Sequence, residues 1–285
     1  MLLTNKNINR FAAFYLLCFL LSYAWFFFYG FNFSALQPVY FLNKPDVTGN
    51  FFMLTGLQQQ LIKHQWMRIL MDTLYLLLPC LLVLACFKKS RLQGFLAVAT
   101  SVFSMLYGYF FTMMCFGSIE GFIAWMLVPL LFISTSTKGF YYLLHGLRIL
   151  FILFFFTAAL WKIRLGGVFN TDQFSGILIY QHANLLAEHP QGWFAAIIRF
   201  LVDHPAWSYC LYLAAFLLEF VFVTGLFTCR YDRYLILLFC AFAVADYFLM
   251  EIVYFFWLPF MGCFYLSRHV YDPEVERLKE QNQRR

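Results

Sequence analysis

Charged side chains are scarce in this sequence. They make up 12% of its 285 residues, against 63% hydrophobic ones, and the mean hydropathy is +0.72. So few polar groups cannot clothe a water-facing surface, which excludes a soluble globular domain. Catalytic signatures are lacking as well. There is no Gly-rich phosphate loop, no HExxH, no GxSxG and no His cluster with ligand spacing. Their absence argues against an ATPase, a zinc protease or a serine hydrolase. The eight cysteines contain no CxxC pair, so no zinc site or redox motif is indicated. Cys18, Cys80, Cys86, Cys115, Cys210, Cys229, Cys240 and Cys263 read as small packing residues. No long repeat or low-complexity linker divides the chain.

What remains is one apolar run after another. A spanning helix needs about 20 apolar residues. Arg10 to Phe31 gives the first span, too long for a signal-peptide core and without a cleavage site, so it is expected to stay in the membrane. A polar stretch from Asn32 to about Gln65 follows, with room for short interfacial helices. Later spans are expected at Met67–Phe87, Phe95–Phe116, Phe122–Ile133, Ile149–Lys162 and Trp207–Phe227. Arg68 and Asp72 stand four apart at the start of the second, on one helix face, where they can pair. Gly117-Ser118-Ile119-Glu120-Gly121 reads as a tight turn, and Lys138 to Arg148 as an amphipathic surface piece. The block Tyr234–Leu266 suggests two helices meeting between Asp246 and Glu251.

Between the fifth and sixth spans, Phe174–Ala187 and Trp193–Val202 show helical apolar spacing. They end at Glu188-His189-Pro190 and Asp203-His204-Pro205, where proline disfavours further helix. Two helices on the membrane surface are expected there. His182, His189 and His204 are weak metal candidates because nothing fixes their separation, and no metal is expected. Trp161, Trp193, Trp207 and Trp257 fall near expected interfaces, as an aromatic belt requires.

The expected fold is all-α, a polytopic membrane bundle of about eight spans with surface helices between spans five and six. It is read as one transmembrane domain over 1–267 with a charged cytoplasmic tail over 268–285. The net charge of +6 sits in short loops. It signals orientation, not nucleic-acid binding. Putting Lys6 and Arg10 in the cytoplasm also puts Lys88, Lys89, Arg91, Lys138, Arg148, Arg230 and Arg233 there under an eight-span count. The expected location is a bacterial cytoplasmic (inner) membrane with both termini inside.

The most informative residue is Lys162, near the end of an apolar run. A cation at membrane depth costs several kcal/mol unless it faces protein, water or a partner. The bland alternative is that Lys162 snorkels to the interface, with Arg164 and Trp161 as further anchors. Glu219, Asp246 and Glu251 lie in or near the last spans and need protonation, pairing or water. Lys162 is their obvious counter-charge, either in a functional site or in a structural ion pair.

The run Phe156-Thr157-Ala158-Ala159-Leu160-Trp161-Lys162-Ile163, followed by a polar stretch and an apolar helix, resembles the lysine-bearing segment of the HTTM family. That superfamily of membrane domains includes vitamin K-dependent gamma-carboxylase. Leu217-Leu218-Glu219, then Gly225-Leu226-Phe227, a basic loop and an apolar run with Asp246, is similar to that family's last helices. The likeness covers about Leu143 to Leu266. DoxX-like quinone-linked membrane proteins share a similar helix-then-lysine phrase. The resemblance implies that Lys162 acts as a base on a quinol-type substrate, as a lysine desolvated in an apolar pocket can. The chain departs from the family in three places. It has Gly117-Ser118-Ile119-Glu120 where the family has an Asn-His phrase, Asp246 where that helix often carries His, and no soluble lumenal domain. Protein carboxylation is therefore not expected.

Taken together, a site for a quinone or lipid-like ligand is expected at Lys162, with Glu219 or Asp246 as partner, near the outer leaflet. A quinone is the candidate cofactor, and lipids or another membrane protein are the candidate partners. The opposing readings are a non-enzymatic scaffold or accessory subunit, and a small-molecule carrier. The carrier lacks the expected broken-helix pair.

Overall fold

The computed structural model describes residues 3–37, 39, 41, 53–115 and 119–269. Most of the expected tail, the start of the Gly117–Gly121 turn and the middle of the Asn32–Gln65 stretch lie outside the described residues. Among the described residues every regular element is helical. Six helices are long and apolar enough to cross a membrane: Asn5–Phe28, Gln65–Lys88, Gln93–Met114, Thr137–Arg164, Pro205–Phe227 and Asp232–Met250. Two shorter apolar helical stretches, Ile119–Ile133 and Tyr254–Leu266, fall where the fourth and last spans were expected.

The chain divides into two compact units, one of residues 1–147 and 255–285, the other of 148–254. The first unit contains α1 (Asn5–Phe28), α2 (Leu57–Lys63), α3 (Gln65–Lys88), α4 (Gln93–Cys115), the short α5 (Ile123–Leu127) and the start of α6 (Thr137–Arg164). The second holds the rest of α6, then α7 (Gln173–Gln181), α8 (Ala183–Glu188), α9 (Trp193–Asp203), α10 (Pro205–Val221), α11 (Thr224–Phe227) and α12 (Asp232–Met250). The last helix, α13 (Leu258–Leu266), belongs to the first unit.

In the first unit both short stretches retrace a long helix. The Ile119–Ile133 stretch begins at the far end of α4, where a Cβ on Gly108 would meet the Phe122 ring at 2.6 Å. Ser101 donates to the Met126 carbonyl midway. It finishes at the start of α4, where Gln93 Nε2 donates to the Phe132 carbonyl at 2.9 Å. Two 3-10 segments flank α5. At about 2.0 Å per 3-10 residue and 1.5 Å per α residue, the stretch reaches about 27 Å. That is close to a hydrocarbon core of about 30 Å. The last stretch retraces α1 in the same way. Phe256 lies 5.1 Å from the Phe26 ring near the end of α1, and a Cβ on Gly262 would strike the Phe11 ring at 2.3 Å near its start. Only glycine permits these two approaches.

The far end of this unit is an aromatic and polar knot. Tyr107 stacks on Tyr75 at 4.0 Å and on Phe33 at 4.3 Å. Its hydroxyl donates to Asp72 Oδ1 at 2.7 Å. The Phe33 and Ser34 amides donate to the same carboxylate at 3.2 and 2.8 Å. Asp72 is thus spent on fastening the chain after α1 to α3 and α4. The expected pairing with Arg68 does not form. Arg68 instead donates from Nη1 to the carbonyls of Leu61 and Ile62 at 2.8 and 3.1 Å, the orphan acceptors at the end of α2. Trp257 also departs from expectation. It is buried, and its indole N–H donates to the Glu120 carbonyl at 2.8 Å, whereas Trp161, Trp193 and Trp207 are exposed as belt residues should be.

In the second unit, α10 is inverted relative to a helix in water. Its buried residues are Ser208, Tyr212 and Glu219, while Trp207, Leu211, Leu217, Phe220 and Val221 are exposed. Such a helix suits a hydrocarbon solvent, where polar groups must turn inward. α10 runs antiparallel to α6: Phe222 packs on Phe155 at 4.6 Å and Phe220 on Phe156 at 5.5 Å. The two helical segments expected between spans five and six are present as α7, α8 and α9, the first broken at His182. Phe174, Leu178, Ile198 and Leu201 pack with Tyr212 into one cluster. They cover the first half of α10.

Two expectations about α6 are corrected. The piece Lys138–Arg148 is not a separate surface segment but the first turns of a 28-residue helix. Arg148 is not a loop cation either. It is 3% exposed and forks onto Asp232, with Nε to Oδ2 at 2.7 Å and Nη2 to Oδ1 at 2.6 Å. Nη2 also reaches the carbonyls of Gly225 and Thr228 at 2.8 and 3.1 Å. With its charge met by a carboxylate and two carbonyls, Arg148 need not interrupt the helix.

Candidate functional site

Lys162 comes from the last turn of α6, where the helix ends before Gly166 at φ +75°. Tyr209 of α10 holds the following turn by donating to the Val168 carbonyl at 2.7 Å. This fixes the end of α6 against α10, and Lys162 Nζ meets Glu219 Oε1 at 2.8 Å. The Lys162 side chain is 27% exposed and that of Glu219 only 6%. The ammonium also lies 5.5 Å from the centroid of the Tyr212 ring, two turns earlier on the same face of α10. A cation over a phenol ring gains further attraction where water is excluded.

The second oxygen of Glu219, Oε2, is buried with no hydrogen-bond partner. Asp246, half-buried on α12, lies within electrostatic reach of both Lys162 and Glu219. It forms no ion pair with either among the described residues. The site therefore sets two carboxyls around one ammonium. An ammonium has three N–H donors. One is used by Glu219, and two remain for a further oxygen acceptor.

The other expected residues lie around this pair or away from it. Arg164 turns back over the Trp161 ring at 4.8 Å and both are exposed at the helix end. Glu251 caps α12 in a left-handed conformation, φ +55°, and faces His182, not Lys162. His204 closes α9, with Nδ1 against the Phe200 carbonyl at 2.9 Å and its ring stacked on Phe200 at 4.4 Å. Among the described residues no group of three His, Cys, Asp or Glu side chains is placed to hold a metal ion.

Sequence reasoning missed the Arg148–Asp232 pair, which lies about four turns before Lys162 near the middle of α6. Its signal was partial: an arginine directly before an apolar run falls under the same rule as Lys162 once the helix extends past it. It also missed the contact between His182 and Glu251, which no spacing announces.

Comparison with protein-family models, curated proteins and solved structures found no match. What the site does must follow from its own chemistry.

Proposed function

We propose that the chain is a membrane protein whose second unit binds an amphiphile, of quinone or lipid type, by its oxygen-bearing head at Lys162. One observation carries this reading. The ammonium is held on Glu219 with two N–H donors unspent, while the Lys162 side chain remains 27% exposed. An apolar tail would lie along the exposed Leu160, Trp161 and Ile163. α7 and α9 would lie in the interface beside it, the latter with Trp193, Ile197 and Phe200 toward lipid.

In the HTTM-like version of this reading, Lys162 also passes a proton to or from the bound head, and a quinone is the cofactor. Lys162→Arg separates binding from proton transfer. Arginine keeps the charge and donors but is effectively never deprotonated. Retained turnover in that variant would remove lysine-assisted chemistry and leave binding.

A second reading, a non-enzymatic scaffold or accessory subunit, is favoured by the Arg148–Asp232 pair, a charge pair enclosed within the second unit. Native mass spectrometry of wild type, Lys162→Ala and Lys162→Arg, with lipid and quinone extraction, decides between them. A small molecule kept by wild type and Lys162→Arg and lost from Lys162→Ala supports the binding site. Identical spectra without a retained molecule favour the scaffold.

The membrane topology belongs to the same proposal. Ile119–Ile133 and Tyr254–Leu266 each retrace a spanning helix, so they count as return crossings and give eight in all. The N-terminus, the Lys88–Arg91 loop and Lys138 then share one side of the first unit. In the second unit Arg230 and Arg233 mark the cytoplasmic end, and Arg148 drops out of the count because it is neutralised. Under that rule the Lys162 end faces the outer leaflet of a bacterial inner membrane.

A further inference from the structure

His182 stands at the break between α7 and α8, and its residue is 2% exposed. Its Nε2 lies 3.0 Å from the carbonyl oxygen of Leu249, in the last turn of α12. A carbonyl only accepts, so Nε2 carries hydrogen. In the neutral ring the other nitrogen, Nδ1, then holds a lone pair. Nδ1 faces Glu251 Oε1 at 3.4 Å and has no hydrogen-bond partner. Two acceptors point at each other unless a proton lies between them. Glu251 is also held at φ +55°, a conformation disfavoured for every side chain but glycine. A contact that keeps it there offsets that cost.

We propose that His182 and Glu251 form a proton-dependent clasp. The imidazolium binds Glu251 and holds the end of α12 against the α7–α8 break, and the neutral ring releases it. Around the imidazole, α9 presents the Phe194 ring, edge-on at 5.4 Å, and α12 presents the Leu249 carbonyl and the Glu251 carboxylate. Glu188 and His189 at the end of α8, and Asp246 on α12, are the next ionisable groups along those elements. None of them pairs with the ring among the described residues.

The sign follows from the partner. The clasp is closed where the ring is charged and is lost as rising pH leaves the ring neutral. Its opening would loosen the turn in which the Ile252 amide donates to the Asp246 carbonyl, beside the Lys162 site. The clasp stands whether or not Lys162 binds a ligand.

Hydrogen exchange of the full chain in zwitterionic nanodiscs tests it, at about pH 5.5 and about pH 7.5, below and above the ordinary imidazole value of about 6.5. Rates are corrected for intrinsic pH dependence. In wild type, protection of residues 246–254 should fall about two- to fivefold at the higher pH, the span that an ion pair with one exposed partner supplies. Glu251→Gln should remove the difference. The Glu251 side chain is 61% exposed, so this variant keeps its fold. Glu251→Gly, which also relieves the backbone, should be equally flat. Wild-type protection independent of pH, or an unchanged pH response in Glu251→Gln, overturns the clasp.

Discussion

At the residue scale the second unit is held by two ion pairs of different kinds. Arg148–Asp232 is enclosed, with both side chains 3% exposed or less and every contact internal. Removing one partner of such a pair strands a charge, so Asp232→Ala should cost about 3–5 kcal/mol, read as a loss of thermal stability in detergent. Lys162–Glu219 is open on the lysine side, and Glu219→Gln should weaken retention of a bound amphiphile while sparing the fold. Lys162 and Glu219 were legible because an ionisable group inside an apolar run demands a partner. Arg148 and Asp232 obeyed the same demand but were hidden. Each borders a short basic stretch, so each read as a loop charge, and 84 positions separate them. One substitution should help. Lys89 ends α3 at φ +50°, so Lys89→Gly should raise stability by about 0.5–1 kcal/mol in the same melting assay.

At the element scale the long helices were readable from apolar run length, with ends displaced by a few residues. The start of α6 was misjudged because Lys138 and Arg148 looked like surface charges. The break of α12 at Glu251 was expected from its polar residues and is where the structure puts it. The internal geometry of Ile119–Ile133 was not legible. Periods of 3.0 and 3.6 residues are indistinguishable over so short an apolar run, and the extra reach of a 3-10 helix is invisible in composition. Its fit depends on contact with α4 through Gly108. Gly108→Ala should force the Phe122 ring aside and destabilise the protein by about 1–3 kcal/mol, as overpacking does. An unchanged melting temperature would show that the ring moves freely.

At the scale of the whole molecule the membrane class was evident from composition, whereas the division into two units was not. A division depends on which helices retrace which, and hydropathy carries no record of that. The count of crossings is open to direct measurement. In a cysteine-free background, Ser90→Cys and Ser136→Cys should label from the same side with a membrane-impermeant thiol reagent, and Glu120→Cys from the other. Labelling of Ser90→Cys and Ser136→Cys from opposite sides would mean that Ile119–Ile133 does not cross, and would reduce the proposed eight crossings to seven.

The first unit is discontinuous in sequence, with 107 residues, 148–254, inserted before its final piece. Its last helix fills the groove on its first, where Gly262 meets Phe11. During synthesis, therefore, α1 waits in the bilayer with that face bare until translation has passed Gly262. Contacts so distant in sequence form late. Until they do, the nascent protein offers a vacant seam that lipids, a chaperone or another copy's last helix can occupy.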